Sequence, residues 1–149
     1  MLLSLPTDRV TLLTKAADTA NATTTLANDP DLQFPGFAGD VYVCQLNLFF
    51  SFGAASTGVR IGVNAPAGTQ LMLSGWTTFS NTTYQGGNTT SLNSPILLSS
   101  SDTDTNAMVT AWFFVKLAQD GQVNLKFAAA AASTTATLTN RSSMQVWKV

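Results

Sequence analysis

Hydrophobic and polar residues alternate with a period of two along most of this chain, the pattern of strands that bury one face. The clearest run is DVYVCQLNLFFSF at 40–52. Tyr42, Cys44, Leu46, Leu48, Phe50 and Phe52 share its apolar face; Val41, Val43, Gln45, Asn47, Phe49 and Ser51 share a mixed one. A second run is AMVTAWFFVKLA at 107–118, with Ala107, Val109, Ala111, Phe113, Val115 and Leu117 opposite Met108, Thr110, Trp112, Phe114 and Lys116. Shorter strands are expected at 9–16, within 28–36 (Leu32 and Phe34 on one side), at 59–66 with Val59, Ile61 and Val63 inward, at 67–76, at 96–100 and at 142–149. Residues 77–95 are polar around Gly86-Gly87 and predict the largest loop or a pair of short edge strands.

The stretch VNLKFAAAAASTTATLTN at 123–140 sets two rules against each other. Alanine is the best helix former. Yet Asp120-Gly121 is a hairpin-turn signal, and Val123, Leu125, Phe127 and Ala129 continue the period of two. The reading is a strand that runs through Ala128–Ala132, with so little bulk that a neighbouring backbone packs against it. Residues 133–140 read as a Thr-rich strand or loop. Eight or so strands, with turn signals at intervals of roughly 8–15 residues, predict an all-β antiparallel sandwich or barrel. At 149 residues the chain is expected to hold one domain, 9–149, preceded by an apolar arm at 1–8.

Composition sharpens this. Charged residues are only 10% of the chain and the net charge is −1, which gives no electrostatic footprint for nucleic acid or an anionic membrane. Every acid is Asp, there is no His, and the polar share is Thr, Ser and Asn, a bias towards strands and turns. So little charge leaves two readings open: surface hidden in an assembly, or a hydroxyl-rich exterior. Cys44 is the single cysteine and is expected buried as a small apolar side chain. The first 15 residues lack a basic leader, and Pro6, Asp8 and Arg9 interrupt the apolar run; no signal peptide and no membrane span are expected.

Candidate chemistry is sparse. Without His, a serine nucleophile lacks its usual base. The carboxylate pairs Asp29/Asp31 and Asp102/Asp104 lie in turn-like segments and are expected to be solvated. DTDTNA at 102–107 begins like a calcium loop, but Ala107 stands at the glycine position and Phe113 at the glutamate position. No metal, no cofactor and no catalytic residue are expected. The N-x-S/T triplets at Asn21, Asn81, Asn88 and Asn140 read as composition. Trp76, Phe79, Tyr84, Trp112 and Trp147 could form a carbohydrate platform, with core or interface filling the favoured reading. Lys116, Lys126 and Lys148 read as a polar rim.

Three pieces in order, TTTLANDPDLQFPGFAGDVYVCQLNLFF, GVRIGVNAPAG and GQVNLKFAAAAASTTATLTNRSSMQVWKV, resemble a small domain encoded by tailed bacteriophages, over nearly the whole span from Thr23 to Val149. This chain departs from it at Ala128-Ala129, where the domain has Ala-Gln, and at Ser142-Ser143, where it has Gly-Ser. The resemblance implies a virion structural protein with a jelly-roll fold of the trimeric tumour-necrosis-factor type. It implies a capsid decoration (cement) protein, made in the host cytoplasm and placed on the capsid surface, whose partners are its own copies and the major capsid protein. Trp112, Phe114, Ala130 and Ala131 are the expected trimer-interface residues, and Met1, Leu2, Leu3 and Leu5 the expected capsid contact. The competing reading is a receptor-binding tip of a head or tail fibre that recognises host-surface glycan through 77–95. A sandwich-fold glycan hydrolase is disfavoured by the missing His and the poor carboxylate geometry.

Overall fold

The computed structural model describes residues 10–53, 58–79, 84–99 and 105–149. Among these residues there are twelve strands and no helix: β1 (Val10–Thr14), β2 (Thr19–Asn21), β3 (Ala27–Gly36), β4 (Val41–Phe52), β5 (Gly58–Asn64), β6 (Gln70–Phe79), β7 (Tyr84–Thr89), β8 (Ile96–Ser99), β9 (Asn106–Lys116), β10 (Gly121–Ala129), β11 (Ala136–Leu138) and β12 (Ser143–Lys148). They form two antiparallel sheets. The larger runs β1-β12-β4-β9-β6-β7, with β11 also on β4 and β2 on β11; the smaller runs β3-β10-β5-β8.

Both sheets come from one long hairpin in a single register. Paired residue numbers add to 157 in β1·β12 (10 with 147), β2·β11 (21 with 136), β4·β9 (41 with 116) and β5·β8 (58 with 99), and in β3·β10 from 36 with 121 to 33 with 124. The nested ladders then roll up, placing β12 beside β4 and β10 beside β5. Strands β1, β3, β4, β5, β8, β9, β10 and β12 make the eight-stranded jelly roll, so the all-β sandwich expected from the sequence is the observed architecture. The four further strands are the β6–β7 hairpin, which widens the larger sheet, and the small β2·β11 ladder.

The inward faces are those the alternation predicts. Tyr42 through Phe52, Val59 through Val63 and Ala107 through Leu117 bury every second residue in one core, with Phe50, Phe113 and Phe127 its largest fully buried side chains. Cys44 is fully buried in that layer, and burial pushes its thiol pKa up, so it is held as the neutral thiol.

Two expectations are corrected. β9 and β10 do not form a hairpin: they lie in different sheets, and residues 117–120 carry the chain across. This crossing is tied to the other one at 37–40: Gly39 N donates to Leu117 O, Leu117 N to Asp40 O, and Ala38 N to the Asp120 carboxylate at 2.8 Å. Gly39 takes a φ of 85° there, a left-handed turn that favours glycine. Second, the alanine run is a strand only as far as Ala129. Ala130 and Ala131 begin a turn in which Ala130 N donates to Gly58 O and Thr134 N to Ala131 O. For 77–95 the edge-strand alternative is the observed one: β6 continues to Phe79, and β7 (Tyr84–Thr89) forms the sheet edge.

The Asp29/Asp31 expectation also fails, and the register explains why. Between Asn124 and Lys126 on β10 the facing strand β3 advances five residues, from Gln33 to Asn28, where two would suffice. Three extra residues is an odd number, so the strand changes face. Leu32 and Phe34 point inward before the break, and Asp29 points inward after it, with no exposed surface. The buried carboxylate is met by Lys15, which follows β1. Lys15 Nζ donates to Asp29 Oδ2 at 2.6 Å, Asp31 Oδ2 at 3.3 Å and Thr19 Oγ1 at 2.9 Å, one acceptor for each of its three protons. Asp29 Oδ1 accepts from the backbone N–H groups of Asp31 and Leu32 and so shapes the break itself. The register is restored at β2·β11, because ten residues from Lys126 to Ala136 face only seven from Asn28 to Asn21. The compensating three lie in the segment that contains the alanine turn. Asn21 closes this region by donating to Thr25 O and Phe127 O, which makes its triplet unsuitable for glycosylation.

Removing one partner of a buried ion pair costs about 3–5 kcal/mol, whereas removing both costs far less. Lys15→Met and Asp29→Asn should each lower unfolding stability by about that amount, and the double variant should regain most of it. Urea titration of the four proteins checks this; additive losses would contradict it.

A second ion pair sits at the other end of the roll. Lys148 Nζ lies 2.7 Å from Asp40 Oδ2, which also accepts from Tyr42 Oη at 2.8 Å. The hydrogen bond from Lys148, then that from Tyr42, holds the Asp40 carboxyl below its ordinary value. Burial, then the neighbouring Asp40, pushes the Tyr42 phenol up to about 12. The Asp40 contribution to stability is therefore present above the ordinary carboxylate range and lost as pH falls through its depressed pKa. The Tyr42 contribution is complete below about pH 10 and lost as pH rises towards about 12. Asp40→Asn should flatten the acid limb of the stability profile. It should also bring the Tyr42 phenolate absorbance in at lower pH, still above the free phenol because burial remains. An unmoved phenolate transition would contradict this.

Candidate functional site

The two outer faces of the sandwich differ in how they satisfy themselves. On the smaller sheet, Asn124 Nδ2 donates to Gln33 Oε1 at 2.6 Å, Lys126 Nζ to Asn93 Oδ1 at 3.0 Å, and Asn93 Nδ2 to Asn64 Oδ1 at 3.2 Å. Arg60 reaches Ala130 O at 3.3 Å. These bonds make a polar mesh over β3, β10 and β5, beside which Leu97 on β8 is 48% exposed and Arg60 Nε is buried without a partner.

The outer face of the larger sheet is apolar at one end. Cross-strand register places Val10, Trp147, Val43, Phe114 and Met72 in one row over β1, β12, β4, β9 and β6. Four strand spacings of about 4.8 Å make that row roughly 19 Å long. The next row is Leu12, Gln145, Gln45, Trp112 and Ser74. Met72 and Leu12 are each 58% exposed, Val10 50% and Trp112 39%, more open apolar surface than strand packing needs. Trp112 and Trp147 stack across the rows with centroids 5.7 Å apart and planes at 15°. Val43, Met72, Ser74, Trp112, Phe113 and Phe114 line a shallow apolar depression. Along the outward positions of β1, β4, β6, β9 and β12, Lys116 is the single charged residue, at the very end of β9.

The opposite end of the same face holds an open cleft of about 550 Å³. Its floor is the row Phe49, Met108 and Thr78 on β4, β9 and β6. Asp18, Thr139, Asn140 and Arg141 form one wall, and Asn106 closes an end. Asp18 Oδ1 accepts from Asn140 N at 2.7 Å, fixing the turn that follows β11 against the connection between β1 and β2.

The residues singled out in the sequence fall on different parts of the molecule. Trp112 and Phe114 stand together on the apolar rows, whereas Ala130 and Ala131 sit at the rim of the smaller sheet, in the other layer. Trp76, Trp112 and Trp147 are on the outer face of the larger sheet rather than in the core. Met1, Leu2, Leu3, Leu5, Asp102 and Asp104 lie outside the described residues. Lys148 and Lys126 are bonded as given above, and Lys116 is exposed. Among the described residues no group of His, Cys, Asp or Glu could hold a metal ion. The cleft residues Asp18, Phe49, Asn106 and Arg141 escaped the sequence reading as site residues, and Asn140 was noted there only as part of an N-x-S/T triplet; the one available signal was Phe49, a large aromatic on the otherwise mixed face of its strand.

No protein family and no curated protein matches the chain by sequence. Among solved structures it is similar to the carbohydrate-binding module TmCBM61, solved with beta-1,4-galactotriose, at 12% identity and TM-score 0.42, covering 80% of this chain and 85% of that one. It is similar to the Eiger TNF of S. frugiperda at 11% identity and TM-score 0.44, covering 95% and 92%. A segment of the infectious bursal disease virus Gx strain structure aligns at 12% identity and TM-score 0.19, covering 93% of this chain and 36% of that one.

Proposed function

We propose that this chain is a virion structural protein, a capsid decoration subunit that binds an assembled head as a homotrimer and trimerises through the apolar rows of its larger sheet. The observation that carries the association is the outer face around Trp112, Phe114, Met72 and Val43. It is open to solvent at Met72 and Trp112 and half-buried at Val43 and Phe114, five strands wide and charged only at Lys116. The Trp112–Trp147 stack turns one ring face of each indole towards the other. That suits a closely packed protein interface better than an open platform for sugar rings. The virion placement is supported by the sequence resemblance from Thr23 to Val149. Mechanically, a trimer that binds only the assembled shell stabilises it by mass action, and three linked contacts strengthen the grip without any new chemistry. Residues 1–8, with Met1, Leu2, Leu3 and Leu5, are the proposed capsid contact.

Light scattering on the purified chain should give three times the monomer mass. Trp112→Asp, which puts an unpaired charge in the centre of the face, should give folded monomer and raise the dissociation constant at least a hundredfold. A monodisperse wild-type monomer at micromolar concentration would sink the association. Added to undecorated capsids, the wild-type protein should raise the temperature of shell disruption, and deletion of residues 1–8 should abolish that rise while the trimer persists. Retention of host glycans that maps to 77–95, with no effect on capsids, would favour the receptor-binding reading instead.

A further inference from the structure

The cleft on the Phe49 end of the larger sheet has the chemistry of a ligand site, and we infer that it binds a neutral saccharide. This does not rest on the trimer reading. From Val43 to Phe49 is six residues along one strand, roughly 20 Å, so the cleft and the Phe114 row occupy opposite ends of the face.

The volume, about 550 Å³, falls in the usual range for small-molecule sites. Its floor is apolar: Phe49 is half-buried and Met108 is 41% exposed. Its wall is polar and largely unspent. Among the described residues the Arg141 guanidinium, the Asn140 side-chain amide and the second Asp18 oxygen have no partner. The Thr139 hydroxyl is buried without one. Asn106 uses only one amide proton, on Thr105 Oγ1 at 3.3 Å.

This set selects its ligand. One carboxylate and one guanidinium leave the lining without net charge, so a polyanion or polycation gains nothing from it. A wholly apolar molecule would cover the polar wall and leave it unpaired, at a cost for each group. A sugar hydroxyl both donates and accepts. Neighbouring hydroxyls can therefore bridge Asp18, which only accepts, and the Asn140 amide and Arg141, which donate. The C–H face of the same ring lies on Phe49 and Met108.

The test is an array of immobilised neutral oligosaccharides ending in glucose, galactose, mannose, fucose or N-acetylglucosamine, probed with the intact chain. Any retained sugar is then titrated calorimetrically against variants. Asn140→Ala and Arg141→Ala, both at exposed positions, should each weaken binding at least tenfold with unchanged melting temperature. Phe49→Ala should abolish binding and Phe49→Trp restore it. Trp112→Asp should leave sugar affinity intact even where it dissociates the trimer, which separates failure here from failure of the oligomer. Three results would overturn the inference: no neutral oligosaccharide retained, binding unchanged in the Asn140→Ala/Arg141→Ala double variant, or retention of acidic sugars alone.

Discussion

Side-chain alternation in a strand allows no odd slip when the inner face is apolar, because one residue of displacement turns the whole set to solvent. This chain meets that constraint with a single register that holds from Val10 with Trp147 to Ile61 with Ile96. The register breaks once, by an odd three residues, opposite Asn124–Lys126. The break puts Asp29 between the sheets, and the Lys15 ammonium makes that position tenable. The ion pair also ties the end of β1, an edge strand held by one neighbour, to the opposite sheet. An apolar residue at 29 could pack there, but it would not cap the N–H groups of Asp31 and Leu32 that define the break. The charge is thus part of the backbone geometry.

Long alternating strands were legible because their evidence is dense: β4 carries six inward residues and β9 five, with Leu117 just beyond it, and every one predicted to be buried is buried. What alternation cannot encode is which sheet a strand joins. Asp120-Gly121 marks a strand boundary but not a hairpin, and the next strand lands in the other layer, since period two looks the same in either. Asp29-Pro30-Asp31 reads as a solvated turn because two acids flank a proline; recognising a register break needs the partner strand, and the partner lies about a hundred residues away in sequence. The alanines were misread for the same reason. Their turn supplies residues that the β3 break demands, a relation invisible until both sides of the hairpin are aligned. The apolar face was legible in part, through Trp112 and Phe114, whereas the cleft was not. It joins three strands to two turns, and no short window of sequence contains it.

Low charge had left two explanations open, a hidden surface or a hydroxyl-rich exterior, and the two sheets divide them. The smaller sheet carries its few charges in a mesh of amides and ions in which Lys126 is bonded to Asn93 and Arg60 to Ala130 O. The larger sheet carries almost none, and its polar outward residues are Gln, Asn, Ser and Thr. Those side chains hydrogen-bond without the desolvation cost of ions, so they tolerate either water or a partner surface. An extended face of this kind suits reversible burial better than one studded with lysine and aspartate.

The same face changes character along its strands, and the fold accounts for where. At the Trp147 end, β1 begins where β12 ends, and among the described residues no turn stands above the five-strand surface there. At the Phe49 end, the chain must leave β1 for β2 and β11 for β12, and both connections stand at the margin of the sheet, locked together by Asp18 and Asn140. A flat surface admits a broad partner; a sheet with a wall along one side admits a small one. The concavity therefore follows from the short β2·β11 ladder, which interrupts the larger sheet beside β4 and forces two turns to the same end. That ladder is in turn where the three-residue break is repaired. The correction that keeps the core in register also builds the wall of the cleft.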